Sequence, residues 1–302
     1  MIDFLKYTKF YYIFSITLTV LSIVSLCLWG LNLGIDFRGG SLLEIEFSDA
    51  RPENSKIQEG LKKLELPEIT VQPTSQNGAI LRFKNVSEDK HKEIMSSLEN
   101  LGKSLNSENK ITEKRFESVG PVIGKEMTQS AVIMILFALL GIAIYVVIAF
   151  WQVPRPVQSY KYAMAILIAL FHDVLITCGV FSVLGHFYGI EVNIFFVVAV
   201  LTILGYSVND TIVVFDRTRE NLIKLSEKTF SGVVSKSLNQ TLVRSINTSL
   251  TVLFVLIIIY FFGGESIKYF ILALLVGVSF GTYSSIFVAS PLLVTFAKAR
   301  RR

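Results

Sequence analysis

Cysteine is nearly missing from this sequence: 302 residues contain two, Cys27 and Cys178. Both fall in apolar stretches, which leaves no disulfide framework and no metal-ligand spacing. Histidine is almost as scarce, with three residues far apart in the chain. Charge is the larger shortage. Asp, Glu, Lys and Arg make up 18% of the residues against 52% hydrophobic ones, and mean hydropathy is +0.55. That balance excludes an ordinary soluble globular protein. The formal net charge of +5 raises nucleic acid as a partner, but the placement of the basic residues argues against it.

Long apolar runs fill the space that charge leaves. Crossing a hydrocarbon core of about 30 Å takes roughly 20 apolar residues. Phe10–Leu31, Ser130–Val153 and Tyr269–Ala297 meet that length without a charge. Tyr162–Leu184 contains His172 and Asp173, Asn193–Phe215 contains Asp210, and Gln240–Phe262 contains Arg244. Six transmembrane helices are therefore expected. The first run is too long for a signal-peptide core and no small-x-small cleavage site follows Trp29, so it reads as a membrane anchor.

Basic residues recur in every second loop. Lys6 and Lys9 precede the first span, and Arg155 and Lys161 separate the second from the third. Arg217, Arg219, Lys224, Lys228 and Lys236 lie in a segment, 216–239, expected to be a basic loop between the fourth and fifth spans. Lys298, Arg300, Arg301 and Arg302 form a basic tail. Positive charge near span ends marks the cytoplasmic face. Both termini are thus expected in the cytoplasm, with 1–31 as N-terminus and first span, 32–127 as an extracytoplasmic domain, and 128–302 as the other five spans. This register explains the basic residues without nucleic acid.

Within 32–127, Ser41–Phe47 alternates apolar and polar residues as a half-buried strand does. Helical spacing follows over Glu53–Leu64, strands over Ile69–Pro73 and Ala79–Phe83, a helix over Ser87–Leu105, and a strand over Ile111–Val119. The order β-α-β-β-α-β predicts a small α+β, ferredoxin-like domain. No catalytic constellation lies in it: His91 stands alone and the acids are scattered among lysines, so a solvated face is the reading there. Two glycine-bearing segments flank it, Gly34-Ile35-Asp36-Phe37-Arg38-Gly39-Gly40 and Val119-Gly120-Pro121-Val122-Ile123-Gly124. Glycine permits tight turns and close backbone approach, so both read as rigid junctions, with Asp36 and Arg38 able to brace the first.

An Asp or Arg inside a span costs about 2.5–3.5 kcal/mol on insertion scales and so marks a pathway or a protein-facing surface. Asp210 sits in Gly205-Tyr206-Ser207-Val208-Asn209-Asp210-Thr211, with Tyr206 and Ser207 on its helical face and Asn209 beside it. Arg244 begins a stripe continued by Asn247, Thr248 and Thr251. The two are expected to form an ion pair between neighbouring spans. His172 and Asp173 form a second polar position, either functional or a helix brace. Gly277, Gly281 and Ser285 recur every four residues, a small-residue packing face. Burial and a nearby guanidinium act oppositely on a carboxyl group. Small helix movements at Asp210 would therefore let it take and release a proton.

The two glycine segments, Phe171-His172-Asp173, and the run Gly205–Asn221 together resemble the SecD/SecF family of bacterial protein-export membrane proteins. The likeness extends over nearly the whole chain, and the Gly205–Asn221 run is its most specific part. It implies a member of the resistance–nodulation–division superfamily in the inner membrane, a non-enzymatic subunit without a cofactor. It also implies partnership with SecD, often with YajC, beside the SecYEG channel, where the proton-motive force assists preprotein translocation. The family's proton-transport acid and arginine match Asp210 and Arg244. A small-molecule or lipid half-transporter and a passive assembly scaffold are the rival readings; a hydrolase lacks the necessary side-chain constellation.

Overall fold

The computed structural model describes residues 4–62, 64, 66, 69–74, 76–151, 157–224 and 226–299. It divides into a soluble unit, Leu33–Ser130, and a helical unit formed by the rest of the described chain.

The soluble unit contains a one-turn helix α2 (Ile35–Arg38), β1 (Gly40–Phe47), α3 (Asn54–Lys62), β2 (Thr70–Pro73), β3 (Gly78–Phe83), α4 (Glu88–Leu105) and β4 (Ile111–Val119). The sheet order is β2-β3-β1-β4 and every neighbouring pair is antiparallel. Alternation in β1 sends Leu43, Ile45 and Phe47 into the core, where Ile57 and Leu61 of α3 and Ile94 and Leu98 of α4 cover them. Ser87 caps α4 by accepting from Lys90 N, which satisfies one of the amides a helix start leaves unpaired. The ferredoxin-like expectation agrees with this arrangement. The expected solvated face at His91 does not. His91 is buried, stacks on Phe116 with ring centroids 3.9 Å apart, and has Nε2 3.1 Å from Glu113 Oε2. Its neighbours come from β4, so local sequence does not reveal them.

The glycine segments pack on one another within this unit. Gly39 and Gly40 adopt φ of +76° and +134°, where a side chain is strained. A Cβ on Gly39 would lie 2.9 Å from Pro121 Cα, and one on Gly124 2.9 Å from Gly39 N and Phe37 O. Thr128 adds a hydroxyl that donates to Gly124 O at 3.0 Å. Gly34 and Phe37 are buried, while Asp36 is half-buried and Arg38 exposed. The second segment departs from the expectation of a junction ahead of the second span. Only Gly120 is connecting residue; Pro121 opens α5 (Pro121–Ala149) and Gly124 lies in its first turn. Proline suits the first helical position because its missing N–H would be unpaired there anyway.

The helical unit holds α1 (Thr8–Trp29, after a 3-10 turn at Phe4–Tyr7), most of α5, α6 (Ser159–Tyr188), α7 (Ile194–Ile223), α8 (Phe230–Phe262), and α9 (Glu265–Ser284). A π-turn (Ser285–Ala289) joins α9 to α10 (Ser290–Ala299). Among the described residues, six stretches are long and apolar enough to cross a membrane. The stretches of α6, α7 and α9–α10 are each 56% buried, against 11–17% for α1, α5 and α8. The first three therefore form the interior and the others surround them. Gly277 lies against Ile203 and Gly281 against Ser207, so the small-residue face of α9 packs on α7 as expected. The π-turn precedes Pro291, whose ring lacks an N–H and crowds the preceding turn; Ser290 Oγ donates to the Ser285 carbonyl at 2.9 Å.

Helices run beyond the apolar segments that foretold them. The expected basic loop 216–239 is mostly helix: α7 continues to Ile223 and α8 starts at Phe230, with Thr229 as its cap. Apolarity marks where lipid ends, whereas side-chain bonds carry the helix on. Asn221 Nδ2 donates to Ser237 Oγ and Gln240 Oε1, each at 2.8 Å, and Arg217 pairs with Glu220. Arg155, Arg300, Arg301 and Arg302 lie outside the described residues.

Gly124→Ala is expected to destabilise the soluble unit by about 1–3 kcal/mol, the usual cost of overpacking. Gly141→Ala, where a Cβ meets nothing within 4 Å, should not. Thermal unfolding of the purified full chain in detergent, followed by proteolysis of the soluble unit, tests this; equal behaviour of the two variants would refute it.

Candidate functional site

The site lies inside the helical unit, along α7. Ile203, Ser207, Thr211 and Val214 form the buried stripe of this helix. Asp210 stands at the edge of that stripe, about 60° round from Ser207 at 100° per residue. It remains 8% exposed. Ser245 of α8 donates to its Oδ1 at 2.5 Å, while Oδ2, itself buried, has no hydrogen-bond partner among the described residues. Asp210 opens on a cavity of about 80 Å³ lined also by Tyr206, Asn209, Val213, Arg244 and Thr248. Tyr206 reaches across to α8, its hydroxyl donating to Ser249 Oγ at 3.2 Å, and Ser249 pairs with Thr282 at 2.6 Å. Asn209 is exposed.

The expected Asp210–Arg244 ion pair is not formed among the described residues. Both border the same cavity, but α8 turns its serine face, not its arginine, toward α7. Ser237, Thr241, Ser245 and Ser249 are buried at four-residue intervals. Arg244, Asn247, Thr248 and Thr251, the stripe singled out by charge, are exposed. One residue of helix separates Arg244 from Ser245, and that 100° step decides which of them meets the carboxylate. The signal was available: a small-polar residue every fourth position is a helix-packing face.

Asp173 is fully buried on α6, and three helices meet at its side chain. Its Oδ2 accepts from Ser207 of α7 at 2.6 Å and from Ser284 of α9 at 2.7 Å; its Oδ1 lies 2.9 Å from His172 Nδ1. One turn along, Thr211 pairs with Ser285 at 2.8 Å and donates to Ser207 O. Neither Ser207 nor Ser284 stands out in sequence as a partner of Asp173, because the contact spans up to 111 positions. No group of three or more His, Cys, Asp and Glu able to hold a metal occurs among the described residues.

Six spanning helices with two carboxylates on protein-facing positions define a polytopic membrane protein with ionisable groups placed inside the bilayer, which are functional by default. The family profile for protein export membrane protein SecD/SecF, C-terminal, matches residues 98–299, and that for the SecD/SecF GG motif matches 30–50. The chain belongs to the SecD/SecF family. It is 40% identical to a protein translocase subunit SecF of Thermobaculum terrenum, over 98% of this chain and 94% of that one. It is 34% identical to a protein translocase subunit SecF of Rickettsia felis, over 99% and 92%. Among solved structures, SecDF of Thermus thermophilus, a translocon-associated membrane protein, matches with TM-score 0.82 and 32% identity over all of this chain. This chain spans 39% of the length of that SecDF chain.

Ser245→Ala removes the hydrogen bond to Asp210 and is expected to destabilise the helical unit by about 1–3 kcal/mol. Thr248→Val, on the exposed rim, should cost under about 0.5 kcal/mol. Unfolding of both variants in the same detergent measures the difference; a Thr248 effect as large as that of Ser245 would refute the assignment.

Proposed function

We propose that this chain is the SecF half of a SecD–SecF pair that uses the proton-motive force to assist preprotein export beside the SecYEG channel, with YajC as an accessory. The observation that carries this reading is Asp210: a nearly buried carboxylate on a polar cavity, with one oxygen held by Ser245 and the other buried without a hydrogen-bond partner among the described residues. A proton added at Oδ2 displaces no hydrogen bond seen there. Arg244 and Thr248 complete the cavity wall from an exposed polar stripe. In lipid, such a stripe would be costly, and a second six-span half covering it would remove that cost. SecD is the partner of this description.

Arg244 then acts as a fixed positive charge beside a carboxylate whose charge changes, so that protonation alters the attraction across the α7–α8 cavity. Moving one charge through the membrane supplies about 2.3 kcal/mol per 100 mV, enough to bias two arrangements of a helix pair. Tyr206 and Asn209 line the same cavity as Asp210, and His172 with Asp173 forms a separate polar position on α6. The charge pattern supports an inner-membrane location with both termini cytoplasmic and residues 32–127 on the far side, where the translocating preprotein emerges. The paired glycine segments, Gly34–Gly40 and Gly120–Gly124, give that domain a stiff base.

Asp210→Asn is expected to abolish the gradient-dependent increment of preprotein translocation in vesicles containing the Sec channel, SecD and this chain, at unchanged membrane level. If translocation stays gradient-responsive, Asp210 is structural and the chain acts as an assembly scaffold.

A further inference from the structure

We propose that His172 and Asp173 form a second proton-binding site within the membrane, holding one exchangeable proton between imidazole and carboxyl. The pair extends the proton-coupling reading of Asp210 but occupies a different place: its hydrogen bonds go to α7 and α9, whereas Asp210 is bonded from α8.

The groups around the pair are few. From α7 come Ser207 and, one turn on, Asp210; from α9 come Ser284 and Tyr283, whose ring stacks on that of His172 at 6.3 Å. From α1, Ser15 and the Tyr11 carbonyl meet the Tyr283 hydroxyl. No Lys or Arg pairs with Asp173 among the described residues, so His172 is the one group able to offset its charge. A carboxylate beside a neutral imidazole would leave a net negative charge in a fully buried place, with imidazole Nε2 a bare acceptor that no donor reaches among the described residues. Adding one proton makes the pair neutral. That proton count is the same whether the pair is written as carboxylic acid with imidazole or as carboxylate with imidazolium. Uptake breaks one O–H bond of a hydronium ion and forms one N–H bond on the ring, leaving water, and release reverses it.

Only one end of the pair is uncommitted. Asp173 Oδ2 accepts from two serine hydroxyls, while His172 Nε2, itself buried, has no hydrogen-bond partner among the described residues. The proton is therefore taken up and released at the imidazole, and Asp173 retains the hydrogen bonds that hold α6, α7 and α9 together. A brace made for packing alone would not need a histidine with an unpartnered ring nitrogen.

Nitrogen-15 NMR of the histidine rings tests this, on the full chain in lipid nanodiscs. The signals of His91 and His186 are assigned by His91→Gln and His186→Gln. The expected result is a proton on His172 Nε2 at neutral pH that is lost as pH rises while the fold persists, unchanged when Asp210→Asn is added. Asp173→Asn should displace that step by at least about one pH unit, a tenfold change in proton affinity. A bare Nε2 throughout, a ring protonated at every pH at which the chain is folded, or a step that disappears with Asp210→Asn would each overturn the proposal. Each of those results is read on a chain with Asp173 intact, so a misfolded Asp173→Asn variant does not rescue it.

Discussion

Three hydroxyl-to-oxygen contacts, Ser207 and Ser284 to Asp173 and Thr211 with Ser285, hold the helical unit at its centre. Water is absent from a bilayer core, so a polar atom there must be satisfied by protein or remain at a cost of several kcal/mol. These contacts meet that constraint and also fix which helices are interior. They need α7 and α9 close enough for serine hydroxyls to reach a carboxylate on α6. Gly277 and Gly281 allow the approach, since a Cβ on Gly277 would overlap Ile203 and one on Gly281 would come 3.0 Å from Ser207 Cβ. On the other side, Gly179 admits Ser22 of α1 in the same way, while Ser25 Oγ donates to Gly179 O and Ser182 Oγ to Ser25 O across the seam. Polar pairing and small residues are therefore one device: the second brings backbones close, and the first makes closeness specific.

The soluble unit meets its own constraint differently. It has water to satisfy its surface, and its strands bury alternate side chains under two helices. Its non-standard feature is the meeting of two glycine segments about 80 positions apart. Gly39 needs a positive φ and also lies where a Cβ would meet Pro121, while Gly124 has room for no side chain beside Phe37. The turn after α2 and the start of α5 are consequently built as one piece.

Much of this was legible in the sequence. Length and hydropathy give six helices, and alternation with turn residues gives the β-α-β-β-α-β order, because both patterns are local. Legibility fails where partners are distant or where helical phase matters. Charge picked Arg244 as the partner of Asp210, yet the neighbouring serine makes the bond, since nothing in composition says which of two adjacent residues faces inward. Repetition of Ser237, Thr241, Ser245 and Ser249 carries that phase, but small polar residues attract less notice than an arginine. Local sequence makes His91 look solvated because its ring contacts come from β4. Hydropathy ends the fourth span at Phe215, short of the helix end at Ile223, because it reports the lipid boundary.

The position of Asp210 follows from the same phase argument. Ser207 and Thr211 bind α6 and the π-turn from the middle of the buried stripe, so the register of α7 is set by contacts that do not involve Asp210. Three residues from Ser207, Asp210 must then fall at the margin between packed interior and the α8 cavity. One oxygen accepts from Ser245, and the other is buried without a partner among the described residues, in a side chain that lines the cavity. Moving the acid one position earlier, to 209, would put it on an exposed position; moving it to 211 would bury it against Ser285. Only the marginal position gives a carboxylate both a fixed hydrogen bond and an uncommitted oxygen beside the cavity, and the Asp173 contacts on α7 are what hold it there.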